Sequence, residues 1–469
     1  MSADDFEQLA AKFIAVVVQK TPKKLVSIIF ASPLSARSPD LCMLWHHGYR
    51  NKHSFKILID QLGTIAVNSF KGFLQLIFNI KPVGYALYGK IDDTLLVSPA
   101  ALGQITDDDQ YKTAYVSTKK DNAVFVFGSA NNCGKKVEKV AGLKFKDKLL
   151  RTCLLINGGI HAFFLVKGSV FEKMLLLLEW FSWVVSLQWL YDYYLERSLS
   201  EVVEKYRIKK IGCIHEMHSY ARIVWRVASE YGAKGFAVQH AAVTSGKRWY
   251  FCYSEEIQRG LKLPSIMYVY NKGVIELLKP HFDITQFKLG CSSRYVHWKT
   301  VRENNNRGKY YLFVGALAGF DNKILFELLK RLADIQKSPL PIKVRLHQCA
   351  ITTKAFRSWL ETSENNGVLE ISRNTALNDD LNSAITIIGM STTVLEEALL
   401  LGRPVIQITH PDYLKFIDLE GIQGAITIDY DKLSAQDLIN MPNAEVNSEA
   451  LKEKLGLSEE EVTYNRLFS

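Results

Sequence analysis

The apolar positions of this chain fall into two alternating patterns. Short runs rich in β-branched and aromatic residues recur through the first half, at 24–30 (KLVSIIF), 41–47 (LCMLWHH), 94–99 (TLLVSP), 123–128 (AVFVFG), 209–216 (KKIGCIHE), 235–240 (GFAVQH) and 265–271 (SIMYVYN). Several are apolar on both faces, as strands buried in a parallel sheet are. Stretches with helical spacing lie between them. In 218–233, Ile223, Val224, Val227, Ala228 and Tyr231 recur at helical spacing, and Gly232 marks the end. After a polar stretch at 297–311 the alternation restarts: strand, helix, the strand 342–348 (IKVRLHQ), helix, a strand near 368–371 and a short helix near 377–383. The run 384–408 (AITIIGMSTTVLEEALLLGRPVIQI) then reads strand, helix, strand. Two α/β halves joined by a linker predict two Rossmann-like domains facing a cleft. The expected division is 1–298, a linker at 299–309, a second domain at 310–440 and a charged helical tail at 441–469.

One segment breaks the alternation. Residues 171–199 carry Trp180, Trp183 and Trp189 among many Leu and Tyr. Glu172, Lys173, Glu179 and Asp192 interrupt the run, and a spanning helix needs about 20 nearly charge-free residues. It is expected either as one long packed helix or as an interfacial helix with its aromatic face at a bilayer surface. In the second case the first domain carries a membrane-associated helical insertion, to which 158–168 (GGIHAFFLVKG) adds apolar surface.

Composition narrows the class. A chain of 469 residues with 48% apolar content is a packed, multi-domain protein. The net charge of +10 favours anionic partners without selecting one. Basic residues are dispersed and no RNA-binding aromatic motif is present, so no nucleic-acid partner is expected. Seven dispersed cysteines without CxxC spacing predict reduced thiols, and the acidic N-terminal stretch is unlike a signal peptide. The expected location is the cytoplasm, with the inner face of the cytoplasmic membrane as the alternative.

The strongest chemical signal is Gly389, Met390, Ser391, Thr392, Thr393 at a strand-to-helix joint. One hydroxyl suffices to cap a helix. Three after a glycine, at the C-terminal end of a parallel strand, favour an anion site. Glu397 then either pairs with the helix dipole or meets a ribose. Gly315 and Gly319, in FVGALAGFDN, permit close backbone approach. Lys343 and Arg345 share a strand face leading to His347; they neutralise an anionic ligand or face solvent. Arg294 suits a carboxylate or phosphate, or a surface ion pair.

The unit 389–406 (GMSTTVLEEALLLGRPVI) resembles the nucleotide-sugar half of GT-B glycosyltransferases and related sugar-nucleotide epimerases. IKVRLHQ resembles the strand of bacterial transferases that use CMP-linked acidic sugars, with His347 matching and Gln348 in place of their Pro. Residues 214–245 and 287–298 resemble bacterial surface-carbohydrate biosynthesis proteins with a strand-end Glu and a Gln-His motif. The resemblance implies a metal-independent GT-B glycosyltransferase that moves a CMP-linked sugar such as Kdo to a lipid-linked or oligosaccharide acceptor. Residues 1–298 would be the acceptor side. Glu216 is the expected base or nucleophile. His240 joins it as a second catalytic candidate or forms a structural hydrogen bond. His47, His218 and Gln239 are acceptor-side candidates, while His347, Ser391, Thr392, Thr393, Glu397, Gly315, Arg294, Lys343 and Arg345 serve the donor. No cofactor or metal is expected, because HEMH at 215–218 lacks zinc-motif spacing. The alternatives are a sugar-nucleotide epimerase, a glycerophosphate-type transferase, or a degenerate binding module on the same scaffold.

Overall fold

A computed structural model describes residues 3–36, 83–98, 122–129, 137–214, 217–239, 242–282, 284–296, 308–316, 319–334, 341–347 and 350–469 apart from 351, 374, 412 and 441–443, with isolated positions at 65, 67 and 72. The chain forms two α/β units. The first comprises residues 1–240, 247–294 and 459–469; the second comprises 241–246 and 295–458. Most of the expected linker, 299–307, lies outside the described residues.

The first unit opens with α1 (Ala3–Lys20) and α2 (Val26–Ala31). The second of these overlaps KLVSIIF, which was expected as a strand. A short, wholly apolar run has no periodicity to distinguish the two states. Here every residue of α2 is buried, so packing decides. The strands are β1 (Val83–Tyr88), β2 (Thr94–Ser98), β3 (Val124–Ser129), β4 (Glu138–Lys139), β5 (Lys210–Ile214), β6 (Lys234–Val238), β7 (Ile266–Val269) and β8 (Gln286–Leu289). They form one sheet in the order β4-β1-β3-β2-β5-β6-β7-β8. Only β1 runs antiparallel to its neighbours.

Three helices fill the interval between β4 and β5: α3 (Phe145–Leu165), α4 (Val170–Val185) and α5 (Gln188–Tyr206). A reciprocal Ser169–Glu172 capping box starts α4. The single long helix expected over 171–199 is in fact α4 and α5, separated by a corner. There Leu187 adopts φ 56°, a left-handed conformation costly for a non-glycine residue, with its side chain buried. The aromatic face expected at a bilayer is internal instead: Trp180, Trp183 and Trp189 are 0%, 4% and 0% exposed. Trp180 donates its indole N–H to the Leu155 carbonyl at 2.9 Å. Among the described residues, no helix is long and apolar enough to cross a membrane. After β5 comes α6 (Ser219–Glu230), whose apolar face is buried over Ile223, Val224, Val227 and Ala228.

The second unit is wholly parallel. Its strands are β9 (Tyr310–Val314), β10 (Ile342–Arg345), β11 (Glu370–Ile371), β12 (Ala384–Gly389), β13 (Val405–Thr409) and β14 (Ala425–Asp429). The helices α7 (Gly319–Asp334), α8 (Lys354–Asn365), α9 (Leu377–Ser383) and α10 (Val394–Leu400) alternate with them. The sheet order is β11-β10-β9-β12-β13-β14. Counted within the unit this is 3-2-1-4-5-6, the doubly wound order of nucleotide-binding sheets. Short helices follow, one at Ala435–Asn440 and then α11 (Glu449–Lys454) and α12 (Tyr464–Leu467). Residues 444–458 belong to the second unit, whereas 459–469 close the first. Tyr464, Leu467 and Phe468 pack on Leu96, Val124 and Phe236.

The Trp180 seat can be tested. A Cβ at Gly159 would lie 2.3 Å from Trp180 Cδ1 and 2.7 Å from its Nε1. Gly159→Ala should therefore lower stability by about 1–3 kcal/mol, read as a reduced urea midpoint. An unchanged midpoint would show that the helices separate freely there.

Candidate functional site

In a doubly wound sheet the loops part where the strand order reverses, leaving room for a ligand at the carboxyl ends of the strands. In the second unit that point lies between β9 and β12. Their last residues pair directly, Gly389 with Val314. A Cβ on Gly389 would fall 2.7 Å from Val314 Cγ2, so glycine keeps this edge closed. The next residue on the β9 side, Gly315, donates its N–H to the Arg345 carbonyl at 2.8 Å. A Cβ there would meet Asn322 Oδ1 and Leu346 Cδ2, each at 2.8 Å.

Asn322 fixes this turn. Its Oδ1 accepts from Ala316 N–H at 3.2 Å, and its amide donates to the Ala316 carbonyl at 2.9 Å. Sequence reading missed it; the signal was a short amide side chain in the helix turn just after a glycine loop. Beside it, Asp321 lines a small cavity with Val314, Ala316, Gly389 and Met390. Asp321 is 3% exposed and its Oδ1 has no hydrogen-bond partner among the described residues. Burial pushes its carboxyl up to about 8.

The hydroxyl run stands at the same edge, directly after β12. Ser391, Thr392 and Thr393 are all half-buried. Thr393 takes the N-cap position of α10 but makes no capping hydrogen bond with its side chain. Thr392 Oγ1 accepts from Val394 N–H at 3.4 Å. Capping therefore engages at most one hydroxyl, and weakly. Because α10 has seven residues, the half-buried Ser391 and Thr392 hydroxyls, rather than a long helix, are the polar groups of interest here. Glu397 is buried. Its neighbour Glu396 accepts from the Tyr295 hydroxyl at 2.9 Å and anchors the helix.

The nearby cations are engaged elsewhere. Lys343 Nζ lies 3.2 Å from Asp380 and 2.7 Å from Glu370, and Arg345 lies 2.6 Å from Asp380. Burial raises the Asp380 carboxyl, but hydrogen bonds from Ser372, Arg345, Thr375 and Lys343 prevail and hold it below the usual carboxylate range. Lys343 and Arg345, two of the three expected donor-binding cations, thus have an internal counter-ion. His347 is exposed beyond β10. The side chain of Arg294 and all of Gln348 lie outside the described residues.

In the first unit the strand order reverses between β2 and β5. Glu216 follows the end of β5 closely in sequence, and His240 likewise follows β6; the two strands end in register, Ile214 with Val238. Glu216, His240 and His47 themselves lie outside the described residues. Gln239 is fully buried, and its Oε1 accepts from Tyr270 N–H at 2.9 Å, tying β6 to the chain beyond β7. His218 precedes α6, its ring 5.8 Å from that of Trp249. No group of His, Cys, Asp and Glu able to hold a metal ion occurs among the described residues.

No protein-family model matches the chain, and no curated protein sequence does. Solved structures do. The UDP-GlcNAc 2-epimerase from Methanocaldococcus jannaschii is 16% identical with a TM-score of 0.39, over 55% of this chain and 76% of its own. The Neisseria meningitidis UDP-GlcNAc 2-epimerase bound to UDP-GlcNAc is 13% identical, TM-score 0.38, over 56% and 77%. Staphylococcus aureus MnaA, solved with UDP, is 15% identical, TM-score 0.38, over 57% and 74%. These findings correct the CMP-sugar glycosyltransferase expectation raised by IKVRLHQ, while the resemblance of GMSTTVLEE also covered sugar-nucleotide epimerases. Two of these three structures are named for UDP-GlcNAc 2-epimerases and the third for a UDP complex; none is named for a CMP-sugar transferase, as the resemblance had implied.

The buried acid gives a pH test. The protonated Asp321 carboxyl suits the fold, so its contribution is complete below the unfolded pKa of 3.8 and is lost as pH rises through about 8. Asp321→Asn should remain stable over that interval while the wild type weakens. Urea unfolding at a series of pH values should show the gap widening upward. A constant gap would place the titration elsewhere.

Proposed function

We propose that the protein is a sugar-nucleotide epimerase-type enzyme, with a UDP-linked sugar as substrate. The observation that carries this reading is the switch point of the second unit. Two glycines bring the backbones of adjacent strand ends together there, and three consecutive hydroxyls follow, of which capping engages at most one weakly. Such a group can donate to a diphosphate without a bound metal. Because Lys343 and Arg345 pair with Asp380, Ser391, Thr392 and the backbone amides beside them are the proposed phosphate ligands. UDP as the nucleotide follows the ligands named for the similar structures.

Epimerisation inverts one carbon of the sugar, so a proton must leave that carbon and return on the other face. This needs a group able to accept and donate a proton beside the sugar. Glu216, two residues after β5 in the sequence, is the proposed group, with His240, two residues after β6, as its partner.

Titration calorimetry with UDP, and with CMP as control, should show binding of UDP alone. Ser391→Ala combined with Thr392→Ala should weaken UDP about 10- to 100-fold, the range for hydrogen bonds to a charged group. Absence of UDP binding by the wild type would overturn the reading. In a separate assay, NMR should follow interconversion of UDP-GlcNAc and its 2-epimer. Glu216→Gln should slow it about 100-fold or more while UDP affinity holds. Full activity in that variant would remove Glu216 from the chemistry.

A further inference from the structure

The helix α3 is built inside out. Its buried face carries Lys148, Leu155, Gly158, Gly159 and Ala162, mostly small residues that let it lie close against α1 and α4. A Cβ on Gly158 would meet Thr21 Oγ1 at 2.7 Å, and one on Gly159 would strike Trp180. The large apolar side chains point the other way. Phe145, Leu149, Leu150, Ile160, Phe164 and Leu165 are all exposed, Phe164 by 73%. From Leu149 to Phe164 the outward positions recur at helical spacing, as two apolar groups, Leu149 with Leu150 and Ile160 with Phe164, on one face with the uncharged Cys153, Asn157 and His161 between them. Single exposed apolar residues are ordinary, but two such groups on one face of one helix point to an interaction surface.

Charge selects the partner. From Thr152 to Val166 there is no Asp, Glu, Lys or Arg, while exposed Lys144 and Lys146 stand at one end and exposed Lys167 at the other. Asp147 is the one acid between residues 141 and 171. Two copies of this helix laid face to face would set lysines against lysines in either orientation. A surface of anionic headgroups over acyl chains meets both the apolar groups and the basic ends. At 21 residues the helix is about 30 Å long, and its two-sided character fits lying in the interface plane.

We propose that the outward face of α3 docks the protein on an anionic lipid surface, with Leu150 and Phe164 in the acyl boundary and Lys146 and Lys167 at the headgroups. Flotation of the full chain with phosphatidylcholine vesicles, with and without phosphatidylglycerol, tests this. Retention is expected on the anionic vesicles and should fall as salt rises. Leu150→Glu with Phe164→Glu should reduce retention about tenfold or more, with circular dichroism unchanged. Lys146→Glu with Lys167→Glu should reduce it on the anionic vesicles. If the first double variant fails to fold, Phe164→Ser alone gives the same reading. No retention of the wild type, equal retention on neutral vesicles, or full retention of the Glu variants would overturn the proposal. So would a wild-type dimer that these variants convert to monomer, since this face would then bind a second copy.

Discussion

The parallel pairing of β9 with β12 is the contact on which the second unit depends. The chain leaves β9 toward β10 and β11 on one side, and leaves β12 toward β13 and β14 on the other. Every loop at the carboxyl edge diverges from that line. The pairing is kept tight by glycine at Gly389, and it continues at the opposite end through Lys309 N–H to the Ser383 carbonyl at 2.7 Å. A larger side chain at residue 389 would push the two central strands apart at the point where the site forms.

Around this line the polar groups divide into two sets. The buried Asp380 carboxylate gathers Lys343, Arg345, Ser372 and Thr375 into a network that fixes β10 and the start of α9. Removing one partner from such a network leaves a buried charge, so the set behaves as structure. The hydroxyl run, half-buried and held by backbone geometry, forms the other set, beside the turn locked by the buried Asn322. The second set can therefore meet a ligand without dismantling the first.

The alternation of the second half was readable because each strand is a short apolar run and each helix has its own period. The hydroxyl run was readable for a similar reason, since all three residues are adjacent in sequence. The counter-ion of Arg345 was not, because Asp380 lies 35 residues away and only the sheet brings it close. Asp321 and Asn322 look like ordinary polar residues at a helix start until burial is known. In the first unit, KLVSIIF carried no period to decide its state. The Trp-rich segment was taken as continuous because nothing in its composition marks Leu187 as a corner.

The return of residues 459–469 to the first unit has a consequence for biosynthesis. The Lys210 amine donates to the Phe468 carbonyl, Tyr268 Oη donates to Arg466 O at 2.8 Å, and the Phe468 ring meets Phe236. One face of the first sheet is thus completed by residues translated after the whole second unit. A ribosome-bound chain that already contains β1 to β8 still exposes Phe236 and Tyr268. The first unit therefore gains its last packing contacts only after the second unit has been synthesised.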